Sequence, residues 1–384
     1  MGRKTAQFHT PSIVIGMKES ADELADQSAD HCRMSLPRIH IGRPQRIAAL
    51  LLLVFLAECL WVVAHQPLSS AFSLHGDGVF AYRIVELPLA LLHLAHCDGT
   101  RAALFVLHLP FVFFAVWMGG GLWWVSRRLF GNEGGFIALA LYCFCPTVVR
   151  LAVTPHDDLL AMWGLYGLVY TAIGVAHAMQ GPRRKWRPRI ALLTLALGLT
   201  AAAHFVAAVA GFLAALCFML YLAERRRTIA LRILLIAAIG AFATLFTLEG
   251  FHPAALRAAL RGSMSLSLAG VYSFANDRSN FPILIATGVV ALLYIALRRS
   301  RYFGNTAPLL IVLALTPLVY VPSVVVQIGE APTASEPYLW ALPFFFTFLG
   351  GVFADALETR ARKLFLALTG AILAAQAILC LATI

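Results

Sequence analysis

The residues best equipped for chemistry stand in "AVTPHDDLLAMW" (Ala152–Trp163), where two adjacent carboxylates, Asp157 and Asp158, open a long apolar run. A carboxylate beside hydrocarbon is costly and therefore asks for a reason. Local structure offers one for the first acid. Thr154 as N-cap, Pro155 at the first helical position and Asp157 three residues after the cap read as a capping box, with the acid favoured by the positive end of the helix dipole. The second acid gains little from that dipole and crowds a like charge against the first. Asp158 is the residue left needing a role. With His156 and Asp157 it offers a nitrogen and oxygen ligand set suited to a divalent cation, Mg²⁺ or Mn²⁺.

A second acid, Asp77, lies between Gly76 and Gly78 in "FSLHGDGVFAYRIVELPLALLH". Such glycines permit a sharp turn and close approach to a ligand, and the same three residues also make an ordinary turn. The segment after them has an apolar face fit to lie at a membrane surface. Arg257 and Arg261 are spaced i, i+4, so one phosphate could bridge them, or both could snorkel to lipid head groups. Arg83 and Arg278 also stand among acids. His204 sits between two apolar runs, where a lone histidine is more often hydrogen-bonded structure than a catalyst. In "EPYLWALPFFFTFLGG" (Glu336–Gly351) an aromatic belt and a proline-started helix account for most residues, Tyr338 among them, but not for Glu336.

These groups need elements to hold them, and composition says which. Of 384 residues 60% are hydrophobic and 13% charged, against about a quarter charged in soluble domains, which marks an all-α polytopic membrane protein. Apolar blocks predict eleven spans, near 47–64, 102–125, 134–150, 158–179, 190–204, 206–223, 229–248, 282–297, 307–326, 338–354 and 364–382. The block 190–223 exceeds one span, and a tight hairpin near 201–205 fits its length. Arginine and lysine recur after every second span, at 42–46, 127–128, 181–189, 224–227, 298–301 and 358–363, and mark the cytoplasmic side. The N-terminus is then inside and the C-terminus outside, in a cell membrane crossed many times.

Residues 1–46 read as a polar cytoplasmic tail and 47–384 as a single membrane domain, with outer loops 65–101, its helical segment included, and 250–281. Most of the acids fall at the outer face. The net charge of +11 follows from the inner loops and implies no nucleic acid partner. The seven cysteines lie mostly in apolar runs and imply neither disulfides nor zinc.

"RRLFGNEGGFIALALYCFCPTVVRLAVTPHDDLLAMWGLYGLVY" (Arg127–Tyr170) resembles the third and fourth spans of the glycosyltransferase C superfamily, in its protein O-mannosyltransferase and aminoarabinose transferase branch. Asp158 falls on the motif aspartate, and Asp77 matches the loop acid taken as catalytic base. "ALGLTAAAHF" and "EPYLWALPFFF" resemble two further family stretches, with His204 at a family lysine and Pro337–Tyr338 at an Arg-Tyr pair.

The resemblance implies inverting transfer of a sugar from a polyprenyl-phosphate donor to a lipid, glycan or protein acceptor at the outer face. Asp77 and Asp158 would be catalytic, while Arg83, His204, Arg257, Arg261, Arg278, Glu336 and Tyr338 would bind substrate. Membrane lipids would surround the spans. A transporter or lipid flippase could use the same acids and arginines, although the reading places no charge mid-span and finds no inverted repeat. A scaffold would need none of them.

Overall fold

A computed structural model describes residues 42–66, 79–94, 96, 101–181, 186–223, 226–253, 288, 291–292 and 337–383. The regular elements among them are helices: α1 (Arg43–His65), α2 (Val79–Leu94), α3 (Arg101–Cys143), α4 (Pro146–Ala152), α5 (Asp157–Ala178), α6 (Trp186–Ala203), α7 (Phe205–Leu222), α8 (Arg227–Leu248), α9 (Pro337–Leu357) and α10 (Arg362–Thr383). Seven of these, α1, α3, α5, α7, α8, α9 and α10, are long and apolar enough to cross a membrane. The protein is a multi-pass helical membrane protein. The expected spans 282–297 and 307–326 and most of loop 250–281 lie outside the described residues.

Helix α3 is a hairpin, not a rod. Gly131, at φ 79° and ψ −176°, interrupts it in a conformation that side chains with a Cβ rarely adopt. Beyond the turn Gly135 packs against the backbone of Arg127, Gly119 faces the Tyr142 ring, and the Tyr142 hydroxyl donates to the Ala115 carbonyl. These pairs run antiparallel about Gly131. The return arm was expected as one helix over 134–150, but the chain breaks it at Phe144–Cys145. The cause is Pro146, whose ring pushes the preceding residue out of helical geometry; Cys145 is extended at φ −90°, ψ 112°. Helix α4 then carries the arm onward, and His108 of the first arm meets the Val153 carbonyl at its end.

The 190–223 block is two helices, as its length required. His204, extended at φ −158°, separates α6 from α7. The reversal shows in the packing on α5, where Gly164 faces Thr200 of α6 and Gly211 of α7 faces Leu165 and Leu168. Gly198 and Gly240 receive Thr244 and Thr194 in turn, which sets α6 parallel to α8. Small residues let backbones approach closely in lipid, where helices gain little from hydrophobicity alone. Each of these threonines also donates to a carbonyl four residues back, so no hydroxyl is stranded in the contact.

Helix α9 is the most enclosed of the membrane helices and packs along both arms of α3. A Cβ on Gly350 would lie 2.5 Å from the Gly134 carbonyl oxygen, so the α3–α9 contact is backbone against backbone. Ser126 and Tyr166 meet the Thr347 hydroxyl inside it.

The bundle has two chemically distinct ends. At one, Arg101 donates to Ala64, Gln66 to Val153 and Arg83 to Leu248, tying the ends of α1, α4 and α8 to the starts of α2 and α3. At the other, Arg362 pairs with Glu133, Arg226 donates to Met179 and Arg189 to Gly174. The sequence assigned these two sets to opposite faces, and the helices do separate them.

Candidate functional site

Helix α5 begins at Asp157, two residues later than the Pro155 start that local rules predict. The expected capping box does not form. Thr154 donates its hydroxyl to the Arg150 carbonyl and so closes α4, while His156 is the N-cap of α5 and its Nδ1 accepts the Asp158 N–H at 3.1 Å. Two helices meet within four residues here, and the hydroxyl serves the first of them. Asp157 and Asp158 therefore both occupy the first turn, favoured by the helix dipole.

Asp158 is 1% exposed and held from two sides. The Trp340 indole Nε1–H donates to Oδ1 at 2.7 Å, and His156 Nδ1 lies 3.3 Å from Oδ2. The two roles of Nδ1 need opposite states. A bare lone pair accepts the backbone N–H, whereas only a protonated Nδ1 donates to the carboxylate. One proton thus decides whether His156 caps the helix or clamps Asp158.

His204 stacks its ring 4.5 Å from that of Trp340, in a tilted arrangement, and closes the group from the α6–α7 turn. Burial, reinforced by the neighbouring His156, lowers its pKa from 6.5 to about 4, so it is neutral near pH 7. Its Nδ1 has no hydrogen-bond partner among the described residues. Three segments far apart in sequence thus converge on one carboxylate through the N-cap of α5, the turn before α7 and the start of α9.

Arg83 stands at the same end of the bundle with its donors engaged. Its Nε donates to the Leu248 carbonyl at 2.9 Å and one terminal nitrogen to Glu86 at 2.6 Å. It closes the C-terminus of α8 and fixes α2 over the bundle end, while the side chain stays 38% exposed. Glu249, the C-cap of α8, has its pKa raised by burial against the opposing pull of Arg83.

Of the other expected site residues, Asp77, Arg257, Arg261, Arg278 and Glu336 lie outside the described residues, and Tyr338 is placed only as the second residue of α9. The expected metal set does not assemble as a metal group. Among the described residues no three His, Cys, Asp or Glu side chains converge to hold an ion. The two Asp158 oxygens face the indole N–H and the His156 ring.

Two residues escaped the sequence reading. Trp340 was absorbed into the aromatic belt; its one distinguishing sign is a position at the start of a proline-led helix. Glu58 lies inside the span α1 and is buried, which corrects the expectation that no charge sits mid-span. The Cys380 thiol of α10 donates to its Oε1 at 3.1 Å. Comparison of the chain with protein-family models, with curated proteins and with solved structures returned no match.

Proposed function

We propose that the protein is a membrane glycosyltransferase acting at the Asp158 end of the bundle, with a polyprenyl-phosphate sugar as donor. The observation that supports this reading is the buried Asp158, whose Oδ1 accepts the Trp340 indole N–H and whose Oδ2 lies beside the His156 ring, in a place where an acid without a task would be costly. The resemblance of Arg127–Tyr170 to glycosyltransferase C sequences puts the motif aspartate at this residue.

The reaction balances as an inverting displacement. An acceptor hydroxyl attacks the anomeric carbon, the bond from that carbon to the phosphate oxygen breaks, and the lipid phosphate leaves with the electron pair. Asp77 takes the hydroxyl proton as general base. Arg83, Arg257, Arg261 and Arg278 are the candidates to stabilise the leaving phosphate, and Asp158 orients the base. His204, Glu336 and Tyr338 are the further candidates to bind substrate. A divalent cation, Mg²⁺ or Mn²⁺ with His156, Asp157 and Asp158 as its candidate ligands, would assist departure of the phosphate, and chelation by EDTA in the assay below reads its part.

A second reading, a transporter or flippase, gains support from Glu58, since an ionisable residue buried inside a span is the kind of group that transport pathways use. The test is transfer of label from polyprenyl-phosphate sugars by membranes carrying wild type, Asp77→Asn or Asp158→Asn at equal expression. Loss of transfer in both variants supports the enzyme. Full transfer in both, or none in the wild type with any donor, overturns it.

A further inference from the structure

The arginine end of the bundle carries a cluster that the proposed function does not use. At the Gly131 turn Arg127 and Arg128 stand one turn after Trp123 and Trp124, and each guanidinium lies over the preceding indole, at 5.2 and 5.4 Å from the ring centre. The turn then folds back so that Gly135 touches the Arg127 backbone and Glu133 points towards α10. There Arg362 binds Glu133 at 3.1 Å, joining segments 229 residues apart and bringing Arg360 and Lys363 to the same place. The Arg362–Glu133 pair thus joins the turn that follows Arg127 and Arg128 to the basic segment Arg360–Lys363, in which Arg360, Arg362 and Lys363 are exposed.

Three features distinguish this place from a general scatter of basic residues. The cations come from two distant segments that an exposed ion pair brings into contact. The Arg–Trp pairs put charge and indole side by side, a combination suited to the boundary between hydrocarbon and head groups. Trp124 is 55% exposed, with the Arg128 guanidinium over its ring. An occupant must therefore present negative charge at the level of the arginines and an apolar body at the level of Trp124. A soluble anion satisfies only the first condition.

We infer that the Gly131 turn and the start of α10 form a binding site for the head group of an anionic phospholipid, its phosphate between Arg128 and the Arg360–Lys363 segment and its acyl chains along Trp124. Arg362 holds the two halves together through Glu133 and leaves Arg360 and Lys363 to contact the lipid. The site is independent of Asp158 and of any transfer reaction.

The experiment uses the full-length protein in nanodiscs of phosphatidylcholine with or without phosphatidylglycerol. Lipid retained by the protein is weighed by native mass spectrometry. Thermal midpoints are read in parallel. The wild type is expected to retain phosphatidylglycerol preferentially and to melt higher with it. Arg360→Gln/Lys363→Gln, which spares the Arg362–Glu133 pair, should lower that preference about tenfold, given what each basic residue contributes at an anionic surface. Arg187→Gln/Arg227→Gln, at the starts of α6 and α8 on the same end, should leave it within about twofold.

Equal retention of both lipids by the wild type overturns the inference. So does an equal loss in the two variants, which would mean a diffuse basic belt. A thermal rise of the same size from inorganic phosphate in phosphatidylcholine discs also overturns it, because the ligand would then be a soluble anion.

Discussion

The indole of Trp340 donates to a carboxylate oxygen of Asp158 at 2.7 Å, across 182 residues of chain, with both side chains buried. A charged acceptor at this distance makes the bond stronger than a neutral one, and its loss leaves an acid oxygen without its donor in an apolar setting. Trp340→Phe keeps most of the ring and removes the N–H. It is expected to destabilise the protein by about 2 kcal/mol in denaturant titrations from mixed micelles. In a double-mutant cycle with Asp158→Asn the two changes should couple by about 1 kcal/mol or more, and additivity within about 0.5 kcal/mol would remove Trp340 from the site.

His204 predicts a pH dependence with a definite sign. Its folded pKa of about 4 lies below the unfolded 6.5, so in the window between them the unfolded chain binds a proton that the folded one refuses. The stability contributed by the neutral ring is complete above pH 6.5 and is lost as the pH falls towards about 4. With the ring partly exposed, the loss is on the order of 2 kcal/mol. Thermal midpoints measured from about pH 8 to about pH 4 should fall more for wild type than for His204→Gln, because only the wild type carries this group. Superimposable curves would show that His204 does not titrate in that window.

What the sequence made legible follows the range of the forces involved. Apolar runs and arginine placement report on the membrane itself, so the helical, multi-pass character of the chain and the reversals between the arms of α3 and between α6 and α7 could be read from local patterns. The start of α5 could not, although every residue was visible. Thr154 and Pro155 satisfy the rules for a helix start, but α4 ends four residues before α5 begins, and its last carbonyls compete for the same hydroxyl. A rule applied to one helix does not see its neighbour. The Trp340–Asp158 bond is further out of reach, since nothing near either residue names the other. The sequence leaves Asp158 as an acid in need of a role, and the indole that meets it comes from the start of a helix whose tryptophan local pattern assigns to an aromatic belt.

Glu58 separates the two functional readings. Its carboxylate is buried inside α1 with one oxygen accepting the Cys380 thiol, while the other oxygen, and both amide atoms of Gln376 on the same helix as Cys380, have no partner among the described residues. If Glu58 only ties the first helix to the last, it contributes what interhelical hydrogen bonds in lipid usually contribute, about 0.6 kcal/mol and at most about 1.7. Glu58→Gln retains an acceptor for the thiol, and under the glycosyltransferase reading its membranes should keep at least about half of the wild-type transfer rate, a change of well under 1 kcal/mol in barrier. A transport pathway makes the opposite demand, because Gln cannot exchange the proton or pair with the cation that such a pathway carries. The same variant reconstituted in liposomes would then lose substrate or proton flux while folding normally. Retained sugar transfer with no flux in either protein assigns Glu58 to helix packing; lost flux with no transfer in the wild type moves the function of the whole chain to transport.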